Sequence, residues 1–279
     1  MTDMKAVYDD VCFATSRLVT NRYSTSFSIG VRCLDRNIRN AVYGIYGFVR
    51  LADEIVDTFH GYDKERMLAE FGDEYFRASA RGISTNPVIN AFRATADRYA
   101  IDDALVAAFL HSMRMDLDHS DYTDRELSEY IYGSAEVVGL MCLKVFVAGD
   151  EAAYEGLKPF AQRLGAAFQK VNFLRDLGSD MTGLRRVYFP ALTAGTLTEE
   201  VKRSILDDIY ADYREAEKGI RRLPACARLG VYTAYLYYKR LAGVIERTPA
   251  ERLLRERVRI SNGRKALLFG KACLTGKFI

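Results

Sequence analysis

Two stretches of the chain carry carboxylates at a spacing that could hold cations. In residues 168–180, FQKVNFLRDLGSD, the polar side chains Gln169, Asn172, Asp176 and Asp180 follow at steps of three, four and four. On a helix they share one face. In residues 43–57, YGIYGFVRLADEIVD, the residues Tyr46, Arg50, Asp53 and Asp57 form a second stripe of the same kind. Each stretch ends in Asp-x-x-x-Asp. Like charges at i and i+4 repel by about 0.2–0.5 kcal/mol on an exposed helix, and by more where water is scarce. Such pairs need cations beside them, and a divalent metal is the leading candidate. Arg50 and Arg175 are adjacent basic groups. Magnesium takes one or two carboxylates, several waters and substrate phosphates, so two opposed Asp pairs suit a magnesium diphosphate.

The surroundings say where these stripes point. Phe168, Val171, Phe173, Leu174 and Leu177 enclose one, and Ile45, Phe48, Val49, Leu51, Ile55 and Val56 enclose the other. Both are helices buried in a domain, so their polar stripes face a cavity, and the substrate should add a long hydrocarbon to its diphosphate. One Asp-x-x-x-Asp on a solvated face is unremarkable. Two on apolar helices that pack against each other set four carboxylates across one space.

Only five prolines, no Gly/Ser linker and repeated 3.6-residue periods indicate an all-α chain of about ten helices without strands. Helices are predicted over 3–19, 36–58, 64–81, 87–99, 103–119, 123–148, 198–222, 224–246 and 263–274, besides the central one. Asn86-Pro87 and the capping box Thr123-Asp124-Arg125-Glu126 mark two starts. The hydroxyl-rich residues 21–28 read as a turn, and 184–190 as a loop. Gly133, Ala135 and Gly139 make one stretch small, for close helix packing or for a tunnel wall. Tyr232, Tyr235, Tyr237 and Tyr238 at helical spacing read first as core.

The chain has 279 residues, 49% of them hydrophobic, enough for one large helical domain over 1–279. A net charge of +3 from 40 basic and 37 acidic residues does not fit a nucleic-acid binder. Five cysteines without Cys-x-x-Cys spacing and three scattered histidines argue against a disulfide framework, a zinc site and histidine chemistry. The first residues lack the apolar core of a signal peptide, and no uninterrupted apolar run reaches the ~18 residues of a membrane span. A cytoplasmic protein is expected, with membrane association left open.

In order along the chain, YSTSFS (23–28), RLADEIVD (50–57), MRMDL (113–117), YIYG (130–133), residues 169–180 and RVYFP (186–190) resemble the squalene/phytoene synthases, and most of all the bacterial phytoene synthases. The resemblance covers nearly the whole chain. It implies the isoprenoid synthase fold, helices around a central apolar cavity, with Asp53, Asp57, Asn172, Asp176 and Asp180 as metal ligands. Ser24, Ser26 and Phe27 match a substrate flap, Tyr130 a tyrosine near the reacting carbons, and Tyr238 a tyrosine on the diphosphate. Arg264 and Lys265 match basic residues that close over it. Arg50, Gln169, Asn172, Arg175, Arg186 and Tyr188 complete the expected substrate contacts. Gly178-Ser179 depart from the family, whose members often carry an acidic residue beside the last Asp.

The activity so implied is head-to-head condensation of two geranylgeranyl diphosphates to phytoene through a cyclopropyl diphosphate, in carotenoid biosynthesis. Mg2+, or Mn2+ in its place, is the expected cofactor, and NADPH is not. Peripheral membrane contact would serve product release. The alternatives are a dehydrosqualene or squalene synthase using farnesyl diphosphate, and a non-catalytic relative that binds or assembles. The last has no reason to keep four paired aspartates. Oligomeric state is not fixed by the sequence.

Overall fold

The computed structural model describes residues 3–118, 121–184, 186–192, 196–261, 263, 267–268 and 270–272. It is all-helical. In order come α1 (Met4–Tyr23), α2 (Thr25–Arg32), α3 (Arg36–Asp57), α4 (Lys64–Arg81), α5 (Pro87–Tyr99), α6 (Asp103–Asp118) and α7 (Asp124–Ile131). A π-helical turn over Tyr132–Glu136 joins α7 to α8 (Val137–Val147). Then follow α9 (Glu151–Ser179), a second π turn (Asp180–Leu184), α10 (Glu199–Arg222), α11 (Ala225–Arg247) and α12 (Ala250–Leu253). Among the described residues the extended backbone pairs only as an isolated bridge between Asp121 and Val187.

Local chemistry sets the boundaries. Asp3, Asp35, Asp63, Asn86, Thr123, Asp150 and Thr198 cap helix starts by accepting backbone N–H groups, and Thr123 with Glu126 completes the capping box. Of the residues read as a turn at 21–28, 21–23 end α1 and 25–28 begin α2. Ser24 leaves the helical conformation, ending α1, and its hydroxyl accepts from Phe27 N to start α2. The Ser28 hydroxyl donates back to the Ser24 carbonyl at 2.7 Å, so the side chains that suggested a turn satisfy a short helix.

Two apolar clusters hold the helices. In the first, Phe48 of α3 stacks on Phe92 of α5 and Phe71 of α4 and meets Phe109 of α6. In the second, Phe173 and Leu174 of α9 pack with Ile209 and Tyr213 of α10 and Tyr235 and Ile245 of α11. Each fully buried aliphatic or aromatic side chain contributes about 1.5–3 kcal/mol, so α3 and α9, central to the two clusters, are firmly placed. Tyr232 and Tyr235 are core residues, as read from their spacing.

Gly133 and Gly139 serve close packing. A Cβ on Gly133 would stand 2.6 Å from the Ala108 carbonyl of α6, and one on Gly139 would stand 3.3 Å from the Ala161 carbonyl of α9. The stretch Asp124–Val147 is long and apolar enough to cross a bilayer by length and composition, although Glu136 and Lys144 interrupt its apolar run. In the fold 56% of its apolar window is buried, as in a core helix. Cys12, Cys142 and Cys226 are free thiols. The helix expected over 263–274 lies largely outside the described residues.

Candidate active site

The last turns of α3 and α9 and the segment after the second π turn bring the predicted aspartates into one charged network. Arg50 donates to Asp53 and to the buried Glu54, and its guanidinium lies 4.4 Å over the Tyr23 ring. Arg186, buried, reaches Asp57 Oδ1 at 2.8 Å and the Asp116 carbonyl at 2.8 Å, with Asp116 Oδ2 at 3.6 Å. Asp176 lies between two guanidiniums. Arg175 holds it bidentately, with Nε 2.9 Å from Oδ1, and Arg257 adds Nε at 2.6 Å. The cations that the paired aspartates need are therefore, in the protein alone, arginines.

Sequence reasoning missed the centre of this arrangement. Asp116, on α6, is buried and accepts three tyrosine hydroxyls, Tyr130 at 2.6 Å, Tyr122 at 3.0 Å and Tyr188 at 3.1 Å. Burial pushes its carboxyl up to about 6, against the opposing pull of Arg186 and the Tyr130 hydroxyl. Burial and the nearby Asp116 charge hold Tyr130 protonated, so its hydroxyl is a fixed donor. Rings extend from this point: Tyr188 stacks on Phe173 at 4.1 Å, with Tyr130 at 5.1 Å from Tyr188 and Phe189 edge-on to Phe173. This is an aromatic wall beside the charged groups.

Carboxyls on both helices share one electrostatic environment. Burial and then the neighbouring Asp57 push Asp53 up to about 7. Burial, then Asp176 and Asp57, push Asp180 up to about 7. Asp180, on α9's side, thus responds to a charge on α3, as expected for two facing pairs. Asp180 forms no ion pair among the described residues. Its unfolded form releases the proton near 3.8 and the folded form near 7, so between these values the native state binds more protons and stability falls as pH rises. Asp180→Asn is expected to melt higher than wild type above pH ~7, by an amount on the order of 1–2 kcal/mol after solvent screening, and to show no gain near pH 4. Melting curves of the metal-free proteins across this range test the sign.

The oxygen donors fit a hard divalent cation. Asp53, Asp57, Asp176 and Asp180 offer carboxylates, and the side-chain carbonyl Oδ1 of Asn172 is buried without a hydrogen-bond partner. An orphaned carbonyl on the same face as Asp176 is the kind of group that magnesium satisfies. Among the described residues no three acidic, His or Cys side chains converge as a preformed metal cage.

The remaining expected residues divide. Ser24 caps α2, Ser26 lies on α2, and Phe27 stacks on Tyr46 of α3 at 4.6 Å. Gln169 accepts from Asn172 at 3.5 Å, and Tyr238 stacks on Phe168 at 4.1 Å. Arg264 and Lys265 lie outside the described residues. The departure at Gly178-Ser179 has a packing reason: a Cβ on Gly178 would stand 2.4 Å from the Leu254 carbonyl, and the Ser179 hydroxyl donates to the Asp176 carbonyl at 2.6 Å. The small pair lets the end of α9 lie against the segment after α12.

Tyr130→Phe keeps the ring and removes one of the donors to Asp116. It should cost about 1–3 kcal/mol of stability, because a buried carboxylate loses a hydrogen bond, and it should lower turnover. Unchanged melting together with unchanged turnover would make the hydroxyl incidental.

A family model described as squalene/phytoene synthase matches residues 20–264. The phytoene synthase of Arthrospira platensis is 29% identical over 257 residues, 83% of this chain and 82% of that one. The 15-cis-phytoene synthase of Synechococcus elongatus is 28% identical over 273 residues, 89% of this chain and 88% of the other. Phytoene synthase 1 of Arabidopsis thaliana, a chloroplast protein, is 29% identical over 246 residues and 82% of this chain, which spans 58% of that relative's length. Among solved structures, a dehydrosqualene synthase in complex with ligand superposes with a TM-score of 0.84 at 21% identity, covering 99% of this chain and 100% of that one. Squalene synthase HpnC from Alicyclobacillus acidocaldarius gives 0.75 at 22% identity, covering 86% and 95%. At these identities the structures show the isoprenoid synthase fold. With the family model running from α1 past α12 over both aspartate stretches, the chain belongs to the squalene/phytoene synthase family.

Proposed function

We propose that the chain, one helical domain over 1–279, condenses two molecules of geranylgeranyl diphosphate head to head into phytoene for carotenoid biosynthesis, without NADPH. The observation that carries this reading is the buried Arg186, which joins Asp57 of α3 to Asp116 of α6 beside an aromatic wall, with Asp180 near enough to Asp57 to feel its charge. Phytoene synthases of cyanobacteria, 28% and 29% identical over most of the chain, support the choice of product.

Arg175, Arg257 and Arg186 supply fixed positive charge for the diphosphates, and this preorganised field is the largest expected contribution to rate. Asp53, Asp57, Asn172, Asp176 and Asp180 would hold Mg2+, or Mn2+ in its place, which when bound draws charge from the departing diphosphate. In the first half-reaction the C1–O bond of one prenyl group breaks and diphosphate leaves with the electron pair. The C2–C3 double bond of the second molecule attacks the allylic cation, and loss of a proton closes the cyclopropane. The second C1–O bond then breaks, the carbon skeleton rearranges, and loss of a second proton leaves the central double bond. Two diphosphates and two protons are released, and no reductant is consumed. The faces of Tyr130, Phe173 and Tyr188 stabilise the cations without capturing them, and their close stacking keeps water away. Tyr130, Tyr122 and Tyr188, anchored on Asp116, hold this wall in place.

Substrate length is the finer part of the reading. Val31, buried at the end of α2, and Ala135, in the π turn against Gly165 of α9, are the positions for the far end of the prenyl tail. A Phe at either should penalise geranylgeranyl diphosphate more than farnesyl diphosphate, since each buried methylene contributes about 0.8 kcal/mol and the tails differ by five carbons. Competition between the two diphosphates on folded Val31→Phe and Ala135→Phe proteins tests this, with melts alongside to separate overpacking. An unchanged substrate ratio in both would remove the tunnel from these positions. Peripheral membrane contact is part of the same proposal, because the product is a long hydrocarbon.

A further inference from the structure

At the far end of α3 from Asp53, roughly 25 Å along the helix axis, four arginines surround one open cavity of about 390 Å³. Arg17 comes from α1, Arg32 from the end of α2, and Arg36 and Arg39 from the first turns of α3. Among the described residues none of the four has a carboxylate partner. Asp35, next to Arg36, is engaged as the cap of α3 by Asn37 N. Arg39 Nε donates to the Leu34 carbonyl at 2.9 Å, which fixes that side chain at the cavity wall. Asn21 and Asn40 add neutral donors to the lining.

Four guanidiniums around one cavity repel each other, and the rest of the protein shows that it pairs arginines readily when carboxylates are at hand. Guanidinium forks match phosphate oxygens bidentately. The volume suits a small ligand. We propose that this cavity is a second anion site, separate from the aspartate network, that takes a phosphate-class group. The proposal stands on the cavity alone and does not depend on the reaction proposed above.

Such a group has two sources, a free phosphate or diphosphate and the headgroup of an anionic lipid. Along α1, Met4, Val7, Val11 and Leu18 are exposed and share one face, so a lipid surface could meet an apolar stripe on the helix that carries Arg17. The two sources are therefore separate arms of one experiment.

The full chain, with magnesium chelated, is titrated with inorganic diphosphate and, separately, sedimented with vesicles of equimolar phosphatidylglycerol and phosphatidylcholine or of phosphatidylcholine alone. Wild type is compared with Arg32→Gln/Arg36→Gln, with Arg17→Gln as a second variant and Arg175→Gln as the control for anion binding at the aspartate network. Melting curves confirm that each is folded. Loss of a diphosphate site in the double variant, but not in Arg175→Gln, supports the proposal with a free anion as ligand. A fall of roughly thirtyfold in binding to the phosphatidylglycerol vesicles supports it with a headgroup as ligand, since each arginine near an anionic surface contributes several-fold. If folded Arg32→Gln/Arg36→Gln and Arg17→Gln bind diphosphate and both kinds of vesicle as wild type does, the cavity is not an anion site.

Discussion

Asp53→Asn and Asp176→Asn are each expected to cut turnover by at least about a hundredfold while the helices stay in place, the scale of losing an electrostatic group at a leaving diphosphate. Asn keeps the shape of Asp and removes the charge. At Asp53 the charge is already resisted by burial and by Asp57, so its loss should not harm the metal-free fold. At Asp176 the variant leaves Arg175 and Arg257 without their shared carboxylate, which frees them for the substrate but removes a metal ligand. Asp57→Asn should also lose turnover, but with a cost in stability, because Asp57 is an ion-pair partner of the buried Arg186. Asp180 is expected to be the least sensitive of the four, since Ser179 stands where relatives often place an acidic residue. Initial rates with saturating Mg2+, beside melting curves, give the ranking. Near-wild-type turnover in both Asp53→Asn and Asp176→Asn would defeat the assignment of these residues to diphosphate departure, and equal losses at all four would defeat the ranking.

The largest expected change in stability is at Arg186. Its guanidinium is buried and ties the segment after α9 to Asp57 of α3 and Asp116 of α6. Arg186→Met should cost about 3–5 kcal/mol, because it leaves the buried Asp116 carboxylate and the half-buried Asp57 without their cation. Asp116 would still hold three tyrosine hydroxyls, which ease but do not replace the lost charge. Replacing Asp116 by Asn in the same chain should recover part of the loss, since the charge left stranded is then gone. An exposed pair such as Arg66 with Glu70 sets the contrast, worth less than about 1 kcal/mol. Denaturant melts of the single and double variants measure both. A cost below about 1 kcal/mol at Arg186 would mean that water reaches Asp57 and Asp116 and that the network is not a dry one.

How far the sequence reached depends on which interactions are local. The Asp pairs could be read because helical spacing places i and i+4 on one face, and because apolar neighbours mark α3 and α9 as buried. Asn86-Pro87 and the Thr123 capping box located helix starts for the same reason. Asp116 could not be read this way: it has no carboxylate three or four residues away, and its role arises only when α7, the segment before it and the 186–188 strip bring Tyr130, Tyr122 and Tyr188 onto it. Its one signal was its place within the MRMDL stretch. Arg257 lies 81 residues from Asp176 in an irregular segment, with no periodicity to point to it. The hydroxyls at 24–28 misled because the same bonds that make a turn can cap and close a short helix. The cations beside the aspartates were assigned to metal, yet four arginines already occupy that role in the protein, so metal and substrate must join a network that is partly neutralised.

The most direct measurement is to incubate the full chain with Mg2+ and geranylgeranyl diphosphate, with and without NADPH, and in parallel with farnesyl diphosphate, and to identify the hydrocarbon formed. The account predicts phytoene from geranylgeranyl diphosphate in the absence of NADPH, dependence on added divalent metal, and loss of product in Asp176→Asn. A coupled hydrocarbon from farnesyl diphosphate alone, or none from either substrate by a folded, metal-supplied protein, would contradict it.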